Sequence, residues 1–259
     1  MGCMKPMIKL SKRLQQIADL VPNGARLADI GSDHALLPVH LAERGMIAFA
    51  VAGEVNEGPL RAASKQVCEA GLTERIDVRL GDGLAVIRPG EVDVITIAGM
   101  GGALIVSILS AGLPKLEGVR TLILQPNVGE EAVRRWLVDH GWFLAKEHIL
   151  EEDGKIYEIL TAMRVPNAEK ANVELYAPRQ LAPSVTASPD RLLQMGPYLL
   201  EQASDTFIHK WLLELEKMER ICAQLALSEA EASRRKEAEL REYIAETEDI
   251  LTCLQKAKR

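Results

Sequence analysis

The 259-residue sequence predicts an α/β fold: a parallel sheet with helices on both faces, followed by a helical C-terminal region. Three observations predict it. Five short apolar runs alternate with stretches of helical character through the first half of the chain, the rhythm of βα units. Two further β-like runs then meet at Asp153-Gly154, a dipeptide suited to the tight turn of a hairpin. Beyond Pro189, apolar residues step by three and four along two long stretches, which is helical spacing.

Taken in order, "IKLSKRLQQIADLV" places Leu10, Leu14, Ile17 and Val21 on one helical face, with Lys12 and Arg13 opposite. Pro22-Asn23-Gly24 ends that helix. The five strand candidates are "ARLADIG", "IAFAVAGE", "IDVRLGD", "VDVITIAG" and "RTLILQPN". Between them, "LLPVHLAERG" and "GPLRAASKQVCEAG" read as helices, as does "EEAVRRWLVDHG" after the fifth. "WFLAKEHILEEDGKIYEILTAMRV" supplies the hairpin. Five βα units closed by an antiparallel hairpin form, by analogy, the strand inventory of a class I (Rossmann-like) methyltransferase. This first domain covers 1–164. From 165 to 189 the chain is rich in Ala, Pro, Ser and Asn with weak periodicity, and reads as a linker or irregular excursion. Over 190–259 lies a helical domain. One heptad-like seam runs through Ile208, Trp211, Leu215, Met218, Cys222 and Leu225, and another through Leu240, Tyr243, Thr247, Ile250 and Leu254. Two such helices predict an antiparallel, coiled-coil-like hairpin.

Hydrophobic residues make up 47% of the chain, enough for a sizeable core. No apolar run reaches the roughly 20 residues of a membrane span, and the start "MGCMKPMIKL" lacks the apolar region of a secretory signal. Its Met-Gly suits myristoylation, but Pro6 stands where Ser or Thr is wanted. Cys3, Cys68, Cys222 and Cys253 are scattered without a C-x-x-C, which predicts free thiols, no metal site and a cytoplasmic location. The net charge of −6 disfavours a nucleic-acid binder on average, although phosphate contacts require only a local basic face.

In an open α/β sheet, ligands bind at the carboxyl ends of the strands. After the first run stand Asp29, Gly31, Ser32, Asp33 and His34; after the second, Glu54; after the third, Asp82 and Gly83. "AGMGG", with Ala98, Gly99, Met100 and Gly101, follows the fourth, and Gln125 to Asn127 follow the fifth. The first loop has one glycine where a dinucleotide loop has three, which disfavours a dehydrogenase. Carboxylates beside a pyrophosphate would repel it, whereas a cationic ligand suits them. S-adenosyl-L-methionine (SAM) carries a sulfonium and an α-ammonium. Its ribose would fall to Glu54, 23 residues after Gly31, and its adenine amino group to Asp82. Each feature also has a plainer reading: Asp29 as a helix cap, Glu54 as a loop acid, Asp82-Gly83 as a turn, and "AGMGG" as a strand–helix turn.

The blocks "LSKRLQQIADLVPNGARLADIGSDHALLP", "GEVNEGPL", "GDGLAVI", "TIAGMGGALI", "LILQPN" and "ILEEDGKIYEIL" occur in order. Together they resemble the TrmK family, bacterial tRNA (adenine-22-N1)-methyltransferases, from about Leu10 to about Leu160. "MGPYL" and the helical tail resemble the family's small C-terminal domain. The resemblance implies a SAM-dependent class I fold and methyl transfer to N1 of an adenine in tRNA. It places cofactor contacts on Asp29, Gly31, Asp33, Glu54, Asp82, Gly83, Ala98, Gly99, Met100 and Gly101. Two departures stand out. Leu36 occupies a position where the family often has an aromatic residue, and the 165–189 stretch is longer than the family's usual link.

The candidate catalytic residues are Asp33, His34 and Asn127. Asn127 would address the Watson–Crick edge of the base, together with Met100 and Gln125, and His34 would orient the site or carry a proton. For tRNA, the candidate basic residues are Lys5, Lys9, Lys12, Arg13, Arg134, Arg135, Arg234, Arg235 and Lys236. No membrane and no metal are expected, and the oligomeric state is open, a monomer included. Two alternatives stay open: a SAM-dependent methyltransferase acting on rRNA, protein or a small molecule, and a non-catalytic SAM- or RNA-binding adaptor.

Overall fold

A computed structural model of the chain describes residues 9–228 and 230–257. Cys3 and Lys5 lie outside them. The chain divides into two compact units, 1–172 and 173–259.

The first unit runs α1 (Lys12–Leu20), β1 (Ala25–Ile30), α2 (Leu36–Glu43), β2 (Ile47–Glu54), α3 (Glu57–Ala70), β3 (Ile76–Leu80), β4 (Val94–Met100), α4 (Gly102–Ala111), β5 (Thr121–Pro126), α5 (Glu130–Asp139), β6 (Phe143–Glu152) and β7 (Lys155–Met163). Its seven strands form one sheet in the order β3-β2-β1-β4-β5-β7-β6. The first five strands pair in parallel, while β7 pairs antiparallel with both β5 and β6. Asp153 and Gly154 both have positive φ, at 51° and 71°, the backbone a type I′ hairpin turn requires. Helices cover both faces of the parallel part, so its four central strands β2, β1, β4 and β5 are largely buried, while the edge strand β3 is not. Ala28, Ala50, Val51, Ile95, Ile97, Leu122 and Leu124 have no exposed surface. The chain works outward from β1 to β3, then returns to β4 on the other side of β1. That reversal opens a crevice at the carboxyl ends of β1 and β4.

The expectation for Arg134 fails inside this unit. Arg134 is not a surface residue for RNA. It is fully buried on α5, donates through Nε to Glu147 of β6 at 2.7 Å, and pairs through Nη2 with Glu158 of β7. A helical period alone does not show that the two neighbouring strands carry buried acids. Arg135 is on the surface and pairs with Glu131.

The stretch 165–189, read as irregular, is structured. It holds α6 (Ala168–Leu175) and a small antiparallel sheet of β8 (Arg179–Ala182) and β9 (Val185–Ala187) turning at Pro183-Ser184. Elements of three to eight residues are too short to display a hydrophobic period. Then come α7 (Pro189–Met195), α8 (Pro197–Gln202), α9 (Asp205–Leu225) and α10 (Glu231–Ala257). Ile208, Trp211, Leu215 and Cys222 are buried on α9, as are Thr247 and Ile250 on α10, on the seams read from the sequence. Arg191 braces this unit from α7. It donates to Glu246 at 2.9 Å and lies 3.6 Å over the Tyr243 ring.

Candidate active site

The end of β1 is built around one buried carboxylate. Asp29 is 5% exposed. Its oxygens accept from Ser32 Oγ at 2.5 Å and Thr96 Oγ1 at 2.6 Å. Burial pushes its pKa up, against the pull of these two hydroxyls and with a further push from Asp33. It does not cap α2, whose N-cap is Ala35. The loop above it is strained. Asp33, His34 and Ala35 all have positive φ, at 46°, 69° and 56°, a conformation unusual for one residue with a Cβ and costly for three. Gly31 also has positive φ, and a Cβ there would lie 2.3 Å from Met100 Cε.

That strained loop serves β2. The backbone amides of Asp33 and His34 face the Glu54 carboxylate and pull against the rise in its pKa. Its Oε1 is buried and has no hydrogen-bond partner among the described residues. Burial raises the Glu54 pKa, and the charge of Asp29 raises it further. Asp33 and His34 themselves sit at the mouth, with side chains 85% and 53% exposed and His34 Nε2 3.5 Å from Asp33 Oδ1. At the end of β3, Gly81 donates to the Glu54 carbonyl at 2.9 Å. Asp82 then opens a short 3-10 turn at Gly83–Val86 and leaves its side chain exposed.

The ends of β4 and β5 are joined by amides. Gly99 bulges from β4 with φ 77°. Its N–H donates to Gln125 Oε1 at 3.0 Å, and its carbonyl accepts from Asn127 Nδ2 at 2.8 Å. Gln125 is fully buried, and its Nε2 donates to the Pro126 carbonyl and Asn127 Oδ1. Gln125 therefore has no capacity left for a base edge, contrary to expectation, and acts as the hub that orients the exposed Asn127. Gly102 opens α4 against α5, where a Cβ would stand 2.2 Å from the Gly129 carbonyl oxygen.

A third group arrives from α1. Arg13 Nη1 donates to the same Gln125 Oε1 at 2.5 Å, and its guanidinium lies 5.3 Å from the centre of the Tyr157 ring. The start of α1 is pinned by Glu152, whose oxygens accept from the Lys12 and Arg13 backbone amides. The structure thus collects Asp29, Gly31, Asp33 and Glu54 at one end of the crevice. Ala98, Gly99, Met100, Gly101 and Asn127 stand at the other, and Asp82-Gly83 at the rim. Thr96, Tyr157 and Glu152 were not legible as site residues, while Ser32 was readable only as a strand-end residue and Arg13 only as a basic residue for tRNA. A hydroxyl or a helix cation has no local signature, and these five converge only through the sheet order.

These residues fit S-adenosyl-L-methionine. The unpartnered Glu54 Oε1 matches a ribose hydroxyl, positively curved backbone at Gly31 allows close approach, and the raised carboxylates are complementary to a cation. Among the described residues no group of three His, Cys, Asp or Glu is placed to hold a metal ion. Fold and site define a class I, Rossmann-like, SAM-dependent methyltransferase. The tRNA (adenine(22)-N(1))-methyltransferase family, TrmK, matches residues 27–249. A tRNA (adenine(22)-N(1))-methyltransferase of Bacillus subtilis (strain 168) is 42% identical over 245 residues, 94% of this chain and 98% of that protein. The crystal structure of the B. subtilis M1A22 tRNA methyltransferase TrmK has a TM-score of 0.83 at 41% identity, covering 94% of this chain and 99% of that one. A candidate tRNA (m1A22) methyltransferase of Streptococcus pneumoniae, solved in complex with SAM, has a TM-score of 0.77 at 42% identity, covering 94% and 100%. The chain belongs to the TrmK family.

Proposed function

We propose that this chain transfers the methyl group of SAM to N1 of adenine 22 in tRNA. The observation that carries the reading is the crevice itself: carboxylates at the ends of β1 and β2 and an oriented amide at the ends of β4 and β5, in a chain of the TrmK family. Bound there, SAM supplies an electrophilic methyl on a sulfonium. Adenine N1 has its own lone pair, so no residue has to remove a proton first, and catalysis rests on position and electrostatics. Asp29 and Asp33 favour the cationic end of the cofactor, Glu54 takes the ribose, and Asp82 the adenine. Ala98, Gly99, Met100 and Gly101 form the floor between cofactor and base. Asn127 spends one N–H on Gly99 and one lone pair on Gln125. Its remaining lone pair is set to accept from the adenine 6-amino group and to face the charge that develops on the base. His34, beside Asp33, orients the mouth.

The target must leave its stack for N1 to be reached. Exposed Lys9, Lys12, Arg234, Arg235 and Lys236 supply phosphate contacts for the surrounding RNA. Work on tRNA supports a cytoplasmic location. No helix among the described residues is long and apolar enough to cross a membrane. Incubation with labelled SAM and unmodified tRNA, followed by nucleoside analysis and mapping, tests the proposal. The expected product is 1-methyladenosine at position 22; any other labelled nucleoside overturns it.

A further inference from the structure

We propose that Val128, together with Leu104, is an apolar wedge that enters the RNA stack beside the target nucleotide and keeps the target out of it. The inference rests on the proposed methylation of an RNA base. It concerns how the base is made available, not which base is taken. A stacked base does not expose its N1 to the cofactor until it swings out. Proteins that unstack a duplex insert an aliphatic side chain between base steps and fill the gap. Such a side chain has to be apolar, exposed, rigidly held and next to the groups that receive the base.

Val128 meets each condition. It is 68% exposed, and Leu104 is 52% exposed, so the core gains little from either side chain. Val128 follows Asn127 directly, and the Asn127 amide is oriented by Gln125 and the Gly99 carbonyl. The backbone under Val128 is clamped. Its carbonyl accepts from Gly102 N–H at 2.7 Å, and Gly129 turns the chain into α5 with φ 79°. A Cβ on Gly102 would stand 2.2 Å from the Gly129 carbonyl oxygen and 3.0 Å from that of Val128. Gly102 opens α4, and Leu104 lies in the first turn of that helix. One backbone contact therefore pins both aliphatic side chains to the strand ends that carry the base-facing amide. Branching at Cβ leaves Val128 little freedom at χ1. The first turn of α4 carries no acid, whereas α5 opens with Glu130 and Glu131, the latter paired with Arg135 at 2.8 Å. The RNA backbone thus meets least repulsion over α4.

The test uses tRNA carrying 2-aminopurine, whose fluorescence rises on leaving the stack, at the position that the wild-type protein methylates. Saturation with the wild-type protein bound to S-adenosyl-homocysteine is expected to raise the fluorescence. Val128→Ser, and more so Val128→Ser with Leu104→Ser, should cut that rise by about half or more. On unlabelled tRNA the double variant should lose about tenfold or more in kcat/KM. Its dissociation constant for SAM, from calorimetry without RNA, should stay within about twofold of wild type. Val128→Ile should restore most of the fluorescence and the rate. On tRNA whose nucleotides flanking the target are abasic there is no stack to open, and the rate deficit of the double variant should disappear. A full fluorescence rise in the double variant overturns the proposal, as does the lack of any rise with wild type. So does a deficit that persists undiminished on the abasic-flanked tRNA, which would make the pair part of the base pocket itself. Because the probe sits wherever the wild type methylates, a target other than adenine 22 defeats the proposed function and leaves this comparison standing.

Discussion

At the scale of single residues, Glu54 joins stability to function. Its Oε1 is buried and unpartnered, and its carboxylate is held above the usual range by burial and by Asp29. An acid with a raised pKa is a burden on the fold once pH exceeds the ordinary carboxylate range, because ionisation costs more folded than unfolded. Glu54→Gln should therefore stabilise the cofactor-free protein at neutral pH by on the order of 1 kcal/mol. It should also weaken SAM binding about tenfold or more, since a charged acceptor for the ribose is lost. Thermal melts without cofactor and calorimetric titration check the two halves; a variant that loses stability while binding SAM normally contradicts both. Residues with a fixed place at a strand end, such as Asp29, Gly31, Glu54 and Asp82, were readable from the sequence because strand ends recur at a known rhythm. Gln125 was misread, because a buried amide and a base-facing amide look the same until their partners are known.

At the scale of elements, β3 is braced to the turn that follows it. Arg79 donates to Glu91 through both Nη atoms, at 2.9 and 2.7 Å, and to the Val86 carbonyl at 2.8 Å. Arg79 pulls the Glu91 pKa down to about 2. A lowered acid contributes stability that is present above the ordinary glutamate range and is lost as pH falls through the folded value. Glu91→Gln should cost about 1–2 kcal/mol near neutral pH. The gap from wild type should close as pH falls toward 2, as urea denaturation across that range will show. The strands, the hairpin and the long helices were all legible, since each repeats its period several times. The small elements between 165 and 189 were not, and neither was the burial of Arg134, which depends on Glu147 and Glu158 arriving from strands further along the chain.

At the scale of the whole molecule, a net charge of −6 has to coexist with an RNA substrate. Arg234, Arg235 and Lys236 form an exposed basic cluster near the start of α10, where Arg235 pairs with Glu239 at 3.1 Å. Reversing all three charges should raise the KM for tRNA several-fold and flatten its dependence on salt, leaving SAM affinity unchanged. KM measured at two ionic strengths decides this; an unaltered KM would give the cluster a role in solubility alone. The tether of α1 bears on the same molecule in time. Lys12 N donates to Glu152 Oε1 across 140 residues of sequence, at 2.6 Å. On the ribosome, α1 is made long before its anchor and has to wait for the β6–β7 hairpin. Closing so distant a contact carries a larger loop-closure cost than pairing neighbouring strands, and Arg13, the next residue, shares that tether. The acids at the ends of β1 and β2 come from neighbouring strands, so the placing of the start of α1 depends on far more distant sequence than theirs does.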